Sequence, residues 1–155
     1  MNSEFYHYSQ SKGLRHDLLS LVGDRRFFLA LRECDQRIEI LPPSDSPDPS
    51  LFPISIPADL GEVWSMAAGV KFNLDSVLFT HEQVKDNMLF LSEFLSPDLQ
   101  LMLPIGEMGD GDYFLLDKSG MVNWWSYEEN SCLLCGDIWD YIASHVSWRR
   151  EHFKK

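Results

Sequence analysis

The stretch Leu101 to Tyr127, LMLPIGEMGDGDYFLLDKSGMVNWWSY, constrains this chain more than any other. Two short runs of aromatic and aliphatic residues, Tyr113 to Leu116 and Met121 to Tyr127, flank Asp117-Lys118-Ser119-Gly120, where Asp and Gly supply the backbone conformations of a tight turn. The pattern predicts a β-hairpin. Upstream, Leu101 to Leu103 reads as a third strand, joined to the hairpin by Gly109-Asp110-Gly111-Asp112, whose glycines reach positive φ without a Cβ clash. Alternation places Phe114 and Leu116 on one face and Tyr113 and Leu115 on the other, and sets Val122 and Trp124 against Asn123, Trp125 and Tyr127. Both faces are therefore apolar. One can pack on helices, while the other carries Tyr and Trp, whose polar atoms tolerate a wet rim or a partner. The plain alternative for each ring is ordinary core.

The remaining segments supply the covering layer that such a sheet needs. Residues Leu14, Leu18, Leu19 and Val22, then Phe27, Leu31, Cys34 and Ile38, keep helical spacing on either side of Gly23-Asp24, which predicts two helices within Gly13 to Leu41. In the second, the contiguous run FFLAL reads equally as a strand. Six of the eight prolines fall in Pro42 to Pro57, which excludes regular structure there and predicts a connecting loop. Pro57 then suits the first turn of a helix with Leu60, Val63, Trp64 and Ala67 on its buried stripe, ended by Gly69. Val70 to Phe79 reads as one or two short strands broken at Asn73 or Asp75. Thr80 and Gln83 form a capping-box signature, followed by Val84, Met88, Leu91 and Leu95 at helical spacing up to Ser96-Pro97. Cys132 to Val146 predicts a closing helix, started by Gly136 or Asp137, with Ile138, Trp139, Ile142 and Val146 on one face.

These elements amount to an α+β fold, an antiparallel sheet of about four to six strands packed against helices. One domain spans residues 1–155: a helical front segment 1–41, a proline-rich loop 42–57, a sheet-and-helix core 58–148 and a basic tail 149–155. A hydrophobic content of 45% argues against disorder, and no apolar run approaches the ~20 residues of a membrane helix. The polar start Met1 to Lys12 has no apolar signal core, so cytoplasmic residence and no membrane contact are expected.

The net charge of −11 is unevenly placed: residues 86–148 hold one basic and eleven acidic residues, whereas the front half is only mildly acidic. Such a field repels phosphate backbones, so no nucleic-acid binding is expected from this half; it attracts a basic protein and speeds its arrival. Solubility alone is the bland reading of the same charge. Arg25, Arg26, Arg32 and Arg37 make the front half's only basic region, a solvated face or a partner for the acidic back half.

Constellations that could carry chemistry are weak. Cys132-Leu133-Leu134-Cys135 has CxxC spacing, yet zinc needs four ligands and only Cys34 and scattered histidines could complete the set; a redox pair would follow a strand of a βαβ unit. Free cysteines clustered at a helix entrance are the alternative. Asp110, Asp112 and Asp117 fail calcium spacing, because the position of the bidentate glutamate falls on Met121. His7, His16, His81, His145 and His152 are dispersed, and no nucleophile elbow or phosphate-binding glycine pattern occurs. The expectation is no enzyme, no cofactor and no metal.

Pro104-Ile105-Gly106, the run ending in Gly111-Asp112-Tyr113-Phe114-Leu115-Leu116-Asp117, the glycine turn and Val122-Asn123-Trp124-Trp125 resemble the central strands of the SUKH superfamily. Ile56-Pro57-Ala58-Asp59-Leu60, with Gly69 after the helix, is similar to that family's proline-initiated helix, and the likeness covers roughly Ile56 to His145. The usual double-glycine turn is reduced here to Ala68-Gly69-Val70. The superfamily includes bacterial immunity proteins and fungal cell-wall-synthesis regulators. The resemblance implies an immunity protein that binds and neutralises a cognate polymorphic toxin, often a nuclease, or else an interaction module of a regulatory assembly. From burial costs and strand ends, the expected partner-binding residues are Asp110, Asp112, Glu128 and Glu129 as an exposed acidic rim, with one of Tyr113, Trp125 and Tyr127 as the aromatic anchor on the face that helices leave open.

Overall fold

A computed structural model describes residues 18–144, apart from Asp35, Ser46, Leu74, Asp75, Asp110 and the side chain of Cys34. The start of the first expected helix, Asp110, the histidines other than His81 and the basic tail lie outside the described residues. The fold is α+β, built on a seven-stranded antiparallel sheet in which spatial order follows chain order. The strands are β1 (Glu39–Leu41), β2 (Gly69–Lys71), β3 (Ser76–Leu78), β4 (Leu103–Met108), β5 (Tyr113–Leu116), β6 (Met121–Ser126) and β7 (Ser131–Asp137). Helices α1 (Arg26–Cys34), α2 (Ala58–Met66) and α3 (His81–Leu91) are joined by a closing helix, α4, over residues 138–144. No helix among the described residues is long and apolar enough to cross a membrane.

The hairpin forms as its turn chemistry dictates. The Asp117 carboxylate accepts from Ser119 N at 2.9 Å and Met121 N at 3.0 Å, and Gly120 takes φ of 88°. Register then pairs Phe114 with Trp124 and Tyr113 with Trp125, so the two expected faces are real, and both are covered. On one face Phe114 meets Tyr141 of α4 at 4.5 Å between ring centroids, and α1 backs this layer through Phe27 against Trp139 at 4.9 Å. The opposite face lies towards α3 and Phe79, whose ring is 6.5 Å from Tyr113.

Several elements differ from the sequence expectation. Among the described residues there are seven strands where about four to six were expected, because β1 adds an edge from the front segment and β7 replaces the first half of the closing helix. Helix begins only after Asp137, whose Oδ1 accepts from Asp140 N at 2.8 Å. The expected strand Leu101 to Leu103 lies further on, at Leu103–Met108, and Leu99–Leu101 is a 3-10 turn. Pro104, which lacks an N–H, is accommodated beside a register shift before Gly106. FFLAL is helical, packing Phe27, Phe28 and Leu31 inward. The capping box is present, with Gln83 N donating to Thr80 Oγ1 at 3.2 Å and Thr80 N to Gln83 Oε1 at 2.9 Å, but α3 stops at Leu91 and turns follow to Leu95. Gly69 does not end α2, which closes at Met66. It lies in β2, where a Cβ would come within 2.9 Å of the Leu78 carbonyl oxygen, so close strand approach is what requires glycine.

The proline-rich loop is a packed wall rather than a free connection. Asp48 caps the 3-10 turn Pro49–Leu51 by accepting from Ser50 N at 3.0 Å, and Phe52 turns inward against Trp64. Arg26 pairs with Asp24, two residues before it, at 2.8 Å, and Arg25, Arg32 and Arg37 are exposed.

Candidate functional site

Residues 127–130 join β6 to β7 and form a tip held by its own side chains. Glu129 N donates to Ser126 Oγ at 3.2 Å, Asn130 adopts φ of 48°, and the Asn130 amide oxygen accepts from Trp125 Nε1 at 3.3 Å. Asn is among the few residues that tolerate this left-handed region. The turn leaves Tyr127, Glu128 and Glu129 exposed together.

Tyr127 is 57% exposed yet not loose, since its ring meets Trp125 at 6.0 Å and Phe94 at 5.6 Å, both edge to face. Phe94 follows the end of α3 and in turn lies 5.3 Å from Phe90. Phe90 and Phe94 are 58% and 41% exposed. A run of rings therefore leads outward from Phe79 and Tyr113 in the core through Trp125 and Tyr127 to Phe94 and Phe90 at the surface. Glu93 at one end and Glu128 and Glu129 at the other are exposed neighbours in sequence of these outer rings. Phe90 and Phe94 were missed by the sequence reading, although their i,i+4 spacing was the available signal.

The other expected contact residues are placed differently. Asp112 is 8% exposed, and its Oδ2 accepts from Trp124 Nε1 at 2.9 Å, so it is an internal anchor for an indole and no part of an acidic rim. Burial is permitted because the carboxylate gains a donor that the indole itself must satisfy. Trp125, 1% exposed, and Tyr113 are core. Tyr113 donates its hydroxyl to Glu107, opposite it on β4; burial raises the Glu107 carboxyl above its ordinary range, against the lowering effect of this bond. Tyr127, the one exposed ring of the three, has the same strand parity as Tyr113 and Trp125, and lies beside α3's end rather than on a face without helices.

The cysteines lie on β7 instead of a helix entrance: Cys132 pairs opposite Trp125, and Cys135 is the extra residue of a β-bulge, because the register skips from Val122 with Gly136 to Asn123 with Leu134. Cys132 is exposed and Cys135 buried; burial raises both thiols, Cys135 to about 12, which keeps the nucleophilic thiolate scarce. Among the described residues no three His, Cys, Asp or Glu side chains gather as a metal site. A shallow apolar cleft of about 290 Å³ opens between α3, the proline-rich loop and β4, with Leu51, Pro53, Met88, Leu95 and Met102 in its walls and Lys85 at its rim. No family model, no curated protein and no solved structure matches the chain.

Proposed function

We propose that this is a non-catalytic cytoplasmic binding protein whose β6–β7 tip docks on a basic protein and blocks it. The observation that carries this reading is Tyr127, exposed but held between Phe94 and Trp125, on the same turn as exposed Glu128 and Glu129. A rigid aromatic anchor with a charged rim is what concentrates binding energy at protein interfaces. The acidic half of the chain supplies a steering field. Joined to the SUKH-like motifs, the reading becomes an immunity protein for a cognate polymorphic toxin. A nuclease toxin suits the charge best, since an acidic inhibitor occupies the basic surface that would hold phosphate. The alternative is an interaction module of a regulatory assembly, which predicts scaffold binding without rescue from killing.

Co-purification followed by mass spectrometry should return a basic protein, and stopped-flow association with it should slow as salt rises. Glu128→Lys combined with Glu129→Lys, and separately Tyr127→Ala, should weaken binding about tenfold or more with unchanged thermal melts. Retention of parental binding by both well-folded variants would move the site elsewhere, with the cleft beside the proline-rich loop as the next candidate.

A further inference from the structure

The partner group that the tip selects can be read from the rings and charges together. We infer that the surface formed by Phe90, Phe94 and Tyr127 takes an arginine side chain of the basic partner, the guanidinium lying on an aromatic face while the neighbouring carboxylates receive its N–H donors. This rests on the docking reading above and adds the chemistry of the residue bound.

Three exposed rings in a row, Phe90 to Phe94 at 5.3 Å and Phe94 to Tyr127 at 5.6 Å, make an apolar surface contributed by two segments far apart in sequence. The Phe94–Tyr127 pair meets at 79°, and the Phe90–Phe94 pair at 50°, so the rings point their faces in different directions and do not close on one another as a flat stack. A purely apolar partner would bring no donor to the exposed carboxylates of Glu93 and Glu128, which adjoin Phe94 and Tyr127 in sequence. A second copy of this chain would bring the same carboxylates together, in a molecule that already carries −11. A cation meets both requirements. Between the two cationic side chains, arginine is planar, less strongly hydrated, and offers donors in a fork matched to a carboxylate, whereas lysine is a compact, well-hydrated point charge. The anchoring of Tyr127 by Trp125 fixes the ring before binding, which lowers the ordering cost.

The test uses the full chain and three synthetic peptides of one design, alternating glycine with arginine, with lysine, or with uncharged citrulline, titrated by calorimetry at low salt. The arginine peptide should bind about threefold or more tighter than the lysine peptide of equal charge, the difference expected of an exposed ring–cation contact. Phe94→Leu and Tyr127→Leu keep the apolar bulk and remove the ring; in each, the preference for arginine should collapse while residual charge-driven binding persists. Equal affinity for arginine and lysine peptides in the parent protein overturns the inference and leaves the acidic docking reading standing. Binding of neither above the citrulline peptide overturns both. The parent comparison needs no variant, so a substitution that fails to fold does not rescue the idea.

Discussion

Asp112 shows how a residue's neighbour decides its meaning. Its carboxylate lies in the interior against the indole N–H of Trp124 at 2.9 Å, so Asp112→Ala leaves a buried donor without that acceptor and should cost about 1–3 kcal/mol by urea denaturation. Asp112→Asn, which keeps an acceptor oxygen, should cost less, and neither should alter partner binding once the protein is folded. Equal loss from both substitutions would mean that charge, not the hydrogen bond, holds the indole. Glu107 works in the opposite sense. Burial raises its carboxyl above the ordinary range, against the lowering effect of the Tyr113 hydrogen bond, so the folded protein holds this proton more tightly than the unfolded chain does. Its contribution is therefore most favourable below the unfolded carboxylate range and declines as pH rises through the interval up to the raised value. Glu107→Gln should flatten that part of the stability–pH profile, and an unchanged slope would show that Glu107 does not set it. Asp112 and Glu107 look alike as sequence, one carboxylate at each end of a strand connection. Only the register, which puts Trp124 and Tyr113 beside them, tells them apart.

Element by element, legibility followed local chemistry. The β5–β6 hairpin, the capping box of α3, the proline-initiated α2 and the proline-rich loop could be read because each is specified within a few residues by a turn aspartate, a Thr–Gln pair or a proline. β7 could not. Ser131–Asp137 is a short apolar run beside a helix signal, and the bulge at Cys135 breaks the alternation that would have marked a strand. β1 is three residues long and exists because β2 pairs with it. The outer rings of the candidate site were hidden for a related reason, since phenylalanine in or just after a helix suggests core, and only the fold brings Tyr127 of the β6–β7 tip against Phe94. Gly106 tests the packing of β4 against its neighbours. A Cβ there would come within 2.6 Å of the Val77 carbonyl oxygen and also against the Tyr141 hydroxyl, so Gly106→Ala should lose about 1–3 kcal/mol. Adding Tyr141→Phe should recover only part of the loss in a thermal melt, because the Val77 backbone stays in place. Full recovery would show that the hydroxyl was the whole obstacle.

The whole molecule shares one topological property: every strand pairs with its predecessor in the chain, from β1 to β7. That order has a consequence in time. Joining β4 to β7 requires only the short connections 109–112, 117–120 and 127–130, whereas β1 reaches β2 across residues 42–68 and β3 reaches β4 across 79–102. Local closures are found first, while longer ones must await partners already in place. Val122→Ala in β6 should therefore slow refolding in stopped-flow experiments, whereas Ile40→Ala in β1 should leave refolding nearly unchanged and speed unfolding. The reverse pattern would mean that the front of the chain nucleates the sheet. With β4 to β7 first, the turn that presents Tyr127, Glu128 and Glu129 takes its shape while the front strands are still searching, and the acidic tip is finished before the last edge of the sheet is laid down.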